Sequence, residues 1–244
     1  MIILNAGVPR SGTVLVNAMI RALLKKAGVR TVQSNPHGAE LAQLIVRLRR
    51  NGDDRLRTVL VHTHSWDRDA ERLIVGNPNV VAFANYRDPR DACVSLMQLH
   101  DQGLEDAIRV ITSYFQQFEA TAMTTNALVI PYEMLVQARE AFAFQIARRL
   151  GLWPTFAQID EVIEETSLER HRKVMEDVRE GRTDSVVERQ NRKRILREDR
   201  LTLINDRHIQ SGATGRWRQE IPKERHDEVT EAFAPILNRY GYAH

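Results

Sequence analysis

Short apolar runs alternate along this chain with longer stretches in which apolar residues return every three or four positions. The short runs are Ile2–Ala6, Val29–Val32, Thr58–His62, Val80–Ala84 and Ala127–Pro131. Each is almost continuously apolar, as strands of a parallel sheet are when both faces are covered. The periodic stretches predict amphipathic helices. Leu15, Ala18, Met19, Ala22 and Leu23 form one stripe, and Leu41, Leu44, Ile45 and Leu48 a second. Leu104, Ala107, Ile108, Ile111, Phe115 and Phe118 form a third. Val229, Ala232, Phe233, Ile236, Leu237 and Tyr240 form the last, with Pro235 expected to kink it. Strands alternating with helices predict an α/β fold with a parallel central sheet flanked by helices. Ligands of such folds sit beyond the carboxyl ends of the strands.

From about Glu164 to Arg207 the periodicity fades. Arg189, Arg192, Lys193, Arg194, Arg197 and Arg200 crowd together, diluted by Glu188, Glu198 and Asp199. The interspersed acids and the lack of aromatics argue against a nucleic-acid surface. A solvated helix, a mobile lid or an acceptor-side segment spanning 164–207 is expected instead. No repeat, low-complexity tract or linker breaks the chain, so residues 1–244 are expected to form a single domain. Cys93 is the only cysteine, which excludes an intramolecular disulfide framework. No apolar run approaches the roughly 18 residues of a membrane span. The opening MIILNAGVPR reads as a first strand and not as a leader, so a cytoplasmic location is expected.

Composition adds little until position is considered. Basic and acidic residues number 35 and 32, a formal charge of +3. All the basic residues except Lys25, Lys26, Lys173, Lys193 and Lys223 are arginine. Arginine forms forked bonds to phosphate and sulfate.

The first strand runs into Gly7-Val8-Pro9-Arg10-Ser11-Gly12-Thr13, and a helix pattern follows. A glycine, four residues and a second glycine at a strand-to-helix turn make the skeleton of a phosphate-binding P-loop. Its amides point inward and the helix N-terminus adds partial positive charge. A nucleoside-triphosphate P-loop carries Lys and then Ser or Thr after the second glycine. Thr13 and Val14 stand there instead, and the cation sits inside the loop at Arg10. The strand at Val80 ends at Arg87, without an acid to hold magnesium. Arginine and backbone, without a metal, are expected to hold the anion.

Two further segments belong to the same picture. Asn85-Tyr86-Arg87-Asp88-Pro89-Arg90-Asp91-Ala92-Cys93-Val94-Ser95 follows a strand, with Asp88 suited to cap and Pro89 to open a helix. Arg87 and Ser95 suit a second phosphate. Near the other end, Gly212-Ala213-Thr214-Gly215-Arg216-Trp217 suggests a loop that approaches a ligand closely. In order and spacing, PRSGT, YRDPRDACVS and GATGRW resemble the motifs of the PAPS-dependent sulfotransferases, over Gly7 to Trp217. The resemblance implies an α/β fold related to nucleotide kinases. It also implies sulfuryl transfer from 3′-phosphoadenosine 5′-phosphosulfate (PAPS) to a hydroxyl or amine, leaving PAP.

Carried over by residue, the resemblance implies that Pro9, Arg10, Ser11, Gly12 and Thr13 hold the 5′-phosphosulfate. Arg87 and Ser95 would take the 3′-phosphate, and Gly212 would belong to the loop closing over it. Thr166, Ser167 and Leu168 correspond to the adenine-edge segment, and Tyr132 to a strand-end tyrosine near the nucleotide. Members with small-molecule acceptors usually have Lys at Arg10, an aromatic near Leu15 and Arg-Lys at Gln210 and Ser211; Arg216 and Arg218 are nearby cations. The acceptor is a small molecule or carbohydrate whose identity the chain does not name.

The strand at Thr58 ends in His62-Thr63-His64. Many sulfotransferases have Lys-x-His there, with the histidine as general base, so His64 matches the base and His62 replaces the lysine. A neutral imidazole suits proton removal near neutral pH. Arg10 would stabilise the charge developing on the sulfuryl group. His-x-His on a strand could also place both rings toward a metal, although no third ligand is evident. A kinase on the same sheet, or a nucleotide-binding protein without catalysis, are the alternatives.

Overall fold

The computed structural model describes residues 1–36, 38–50, 58–182, 186–191, 194–199, 204 and 212–243. The chain opens with β1 (Ile2–Gly7), α1 (Thr13–Lys26), β2 (Thr31–Ser34), α2 (Ala39–Arg50), β3 (Thr58–Thr63) and α3 (Arg68–Ile74). Next come β4 (Val80–Tyr86), α4 (Pro89–His100), α5 (Leu104–Thr124), β5 (Leu128–Pro131), α6 (Tyr132–Gln137) and α7 (Arg139–Arg149). The remainder is α8 (Phe156–Glu165), α9 (Leu168–Arg179), β6 (Val186–Asn191), β7 (Arg194–Asp199), α10 (Trp217–Glu220), α11 (His226–Ala232) and α12 (Ala234–Tyr240).

Strands β1 to β5 form one parallel sheet in the order β2-β3-β1-β4-β5. β1 is central and wholly buried. Ile3 and Phe83 pack with α1, α7 and α8 on one face. Leu4, Val59 and Val61 meet α2 and α3 on the other, where Ala84 also meets α4 and α5. Burying a side chain such as Ile3 or Phe83 stabilises by about 1.5–3 kcal/mol, and this two-sided burial is why the strands read as unbroken apolar runs. After β1 the chain enters α1 on one face, whereas the helices after β3 and β4 lie on the other. Such a reversal opens a crevice at the strands' carboxyl ends. The register pairs Ala6 with Thr63 and Gly7 with Asn85, so the P-loop, His64 and Arg87 emerge side by side.

The expected strands are present, with ends shifted by one or two residues. The last helix is interrupted at Phe233, with Pro235 in the first turn of α12. Within 164–207 the solvated helix forms only in part. Besides α9 this segment holds an antiparallel hairpin, β6 paired with β7, and not a solvated helix throughout. One pair of its charges meets across the strands. Glu188 lies opposite Arg197, and the two side chains pair at 3.3 Å. Arg192, Lys193 and Arg200 lie outside the described residues. Among the described residues no helix is long and apolar enough to cross a membrane.

Candidate functional site

The P-loop is built by close approach. A Cβ on Gly7 would come within 2.6 Å of the Asn85 carbonyl. Gly12 has φ +82°, and a Cβ there would meet the Tyr132 ring at 2.6 Å. Arg10 itself takes a left-handed φ of 69°, which costs an L-residue roughly 1–2 kcal/mol. Ser11 turns the loop back on itself: its hydroxyl donates to the Val8 carbonyl at 2.6 Å, and its amide to the same oxygen at 3.2 Å. Below, Asn5 Nδ2 donates to the Thr13 carbonyl at 2.8 Å, and Asn85 Nδ2 donates to Asn5 Oδ1 at 2.8 Å. This buried ladder of carboxamides ties the loop and the start of α1 to two strands.

Arg10 is drawn across to the second motif, where its Nε donates to Ser95 Oγ at 2.8 Å. Burial, then the nearby guanidiniums of Arg87 and Arg216, lower its pKa to about 10, so it remains a cation at neutral pH. Arg87 leaves the end of β4 buried. Its Nη2 donates to Asp91 Oδ2 at 3.1 Å and to the Ala213 carbonyl at 2.5 Å, and its guanidinium lies 4.4 Å from the Tyr132 ring centroid. Its Nε is buried with no hydrogen-bond partner among the described residues. A buried orphan donor beside a second arginine is matched to an oxyanion.

The 212–217 loop closes the site. Tyr132 donates its hydroxyl to the Gly212 carbonyl at 2.7 Å, and burial raises the phenol's pKa so that it stays a donor. Asp91 gathers the rest. Its Oδ2 accepts the Gly215 amide at 2.7 Å, and its Oδ1 accepts the Trp217 amide at 3.0 Å. Gln210 and Ser211, which stand where the resemblance has Arg-Lys, lie outside the described residues. Further support comes from the far end of the chain. Arg90, stacked 4.2 Å from the Trp217 ring, pairs with Asp88 at 2.8 Å and donates to the Ala243 carbonyl at 2.7 Å. Glu133 accepts the Asp88 amide at 3.0 Å and the Tyr242 hydroxyl at 2.8 Å.

His64 lies one residue past β3, with its Nδ1 2.8 Å from the Gly7 carbonyl. A carbonyl only accepts, so Nδ1 carries the proton, and Nε2 is the basic nitrogen of the neutral ring. The ring meets His62 edge-on at 5.0 Å and Tyr114 at 6.2 Å between centroids. Among the described residues no group of three or more His, Cys, Asp or Glu side chains converges as metal ligands do.

The segment expected at the adenine edge has its side chains engaged in the scaffold. The Thr166 hydroxyl donates to Val162 and accepts from Arg139, and Ser167 caps α9 by accepting the Arg170 amide. Leu168 is exposed. Asp91, Gln98 and Tyr114 were given no role from sequence. The four-residue spacing from Arg87 to Asp91 was the available signal for the first; nothing in the sequence placed Gln98 or Tyr114 near the site.

This five-stranded parallel sheet between helices matches the fold of solved sulfotransferase-type structures that hold PAP. The crystal structure of retinol dehydratase with androsterone and the inactive cofactor PAP matches 97% of this chain and 80% of its own, at TM-score 0.63 and 17% identity. Mouse sulfotransferase SULT7A1 with PAP matches 97% of this chain and 84% of its own, at TM-score 0.64 and 13% identity. Retinol dehydratase with retinol and PAP matches over 97% and 81%, at TM-score 0.61 and 17% identity. At these identities the likeness is one of fold. No protein-family model and no curated protein matches.

Proposed function

We propose that the chain is a PAPS-dependent sulfotransferase acting on a hydroxyl- or amine-bearing small molecule or carbohydrate. The observation that carries this is the bond from Arg10 to Ser95, which joins the phosphate loop to the second motif on a fold whose solved relatives hold PAP. In this scheme Pro9 to Thr13 cradle the 5′ end with backbone amides and the Arg10 guanidinium. Arg87 and Ser95 take the 3′-phosphate, and Tyr132, Gly212 and the backbone at 166–168 complete the nucleotide site. The acceptor oxygen attacks sulfur as its proton passes to His64 Nε2. The bond from sulfur to the bridging phosphate oxygen breaks, and PAP leaves with the electron pair. Arg10 opposes the charge that builds on the transferring group and the leaving phosphate. No step is assigned to a metal.

Calorimetric titration of PAP and 5′-AMP, with and without magnesium, tests this. PAP is expected to bind about 100-fold more tightly, as two charge-assisted bonds to the extra phosphate imply. Arg87→Ala should erase most of that preference while leaving AMP nearly unchanged. Equal affinities for PAP and AMP in the unaltered protein would reject the proposal. Magnesium-dependent ATP turnover would favour a kinase.

A further inference from the structure

Three arginines converge on one face of α4, each on its own rung. Asp91, Ser95 and Gln98 are four and three residues apart, so they share a helix face. Arg87 sits on Asp91 at 3.1 Å, Arg10 on Ser95 at 2.8 Å and Arg216 on Gln98 Oε1 at 2.9 Å. Arg216 is fixed on a second side, its Nε donating to Glu220 Oε1 at 2.7 Å. Gln98 also donates to Glu220, so arginine, amide and carboxylate close a triangle. Its backbone is fixed as well, because Asp91 accepts the amides of both flanking residues, Gly215 and Trp217. An ion pair on a surface helix serves only that helix. This one is 13% exposed at the arginine, is anchored to α4 from the opposite side, and lies close enough for its charge to depress Arg10. Two carboxylates, Asp91 and Glu220, stand among the three guanidiniums, which leaves one net positive charge on the α4 face.

We propose that Arg216 is a specificity-determining residue of the donor site, supplying the third cation that recognises the 3′-phosphate of PAPS and PAP. This rests on the donor assignment above. Gln98 and Glu220 hold its guanidinium in place, so little rotamer freedom is lost when an anion is met. Removing Arg216 takes the face from one net positive charge to none, and the effect should fall on the dianionic 3′-phosphate and not on the nucleoside or the 5′ end. Titration of PAP and 5′-AMP into the unaltered protein, Arg216→Ala and Arg216→Gln tests it, with thermal unfolding as the check on folding. Arg216→Ala is expected to weaken PAP about tenfold, as loss of one charge-assisted bond implies, with AMP changed less than about twofold. Arg216→Gln is shorter but keeps an amide donor and removes the charge; it should show the same selective loss, so it carries the test if the alanine variant is unstable. An unchanged ratio of PAP to AMP affinity in the glutamine variant overturns the assignment, and so does a loss shared equally by both ligands. If the unaltered protein shows no PAP preference, the donor assignment itself has failed.

Discussion

His64 shows how one hydrogen bond sets a chemical role. The Gly7 carbonyl accepts the hydrogen bond from Nδ1–H, so Nε2 is the nitrogen that would take the acceptor's proton in the proposed mechanism. His64→Asn keeps a donor for that carbonyl and removes the base. Turnover should fall by about 100- to 10,000-fold, the usual contribution of general-base catalysis, while calorimetric PAP affinity stays within about twofold. Wild-type turnover in this variant would remove His64 from the mechanism. Cys93 is the contrasting case. It stands among the motif residues, but burial in the core beside α5 raises its thiol pKa and makes it a packing residue.

At the scale of elements, the phosphate loop depends on an inter-element fit as much as on its own sequence. The Tyr132 ring, opening α6, occupies the space a side chain on Gly12 would need. Gly12→Ala therefore meets both an unfavourable positive φ and a steric clash. It should cost on the order of 1–3 kcal/mol in denaturant unfolding and abolish PAP binding; a variant that binds PAP normally would contradict this packing. The strand ends that carry this fit were legible in sequence, because a central strand buried on both faces leaves an unbroken apolar signature. The Pro235 interruption was legible too, since proline's effect is local. The β6–β7 hairpin was not, because VVERQN and RILRED lack the period-two alternation of a strand, and charges such as Glu188 and Arg197 also read as a solvated helix. The use of Asp91 was hidden for a different reason. Its spacing from Arg87 was visible, but its other partners, Gly215 and Trp217, are more than a hundred positions away and only the fold brings them near.

For the whole molecule, acidification should be unfavourable in a defined window. Burial, and then the Arg139 charge, lower the pKa of His171 from 6.5 to about 4. Above about 6.5 the ring is neutral in both folded and unfolded chains and contributes nothing to the pH dependence. Between there and about 4 the unfolded chain takes up a proton that the folded one refuses. Stability is therefore lost as pH falls through this range, by up to about 3 kcal/mol. His171→Gln should flatten the dependence of thermal unfolding on pH in that window. An identical slope in the variant would show that other groups cause it.

The bonds from Tyr242 to Glu133 and from Arg90 to the Ala243 carbonyl brace the proposed donor site from residues 242 and 243. Arg10 meets Ser95 across 85 positions, Arg87 meets Ala213 across 126, and Arg90 meets Ala243 across 153. Joining such distant segments carries a loop-closure entropy that local helices avoid, and contacts of this range are slow to form. The sheet of β1 through β5 can pair before the 212–217 segment and residues 242–243 dock, yet the proposed anion cradle then lacks its closing loop and its brace. Competence to bind an anion at the proposed site is therefore expected to follow, and so to report, the completion of the fold's most distant contacts.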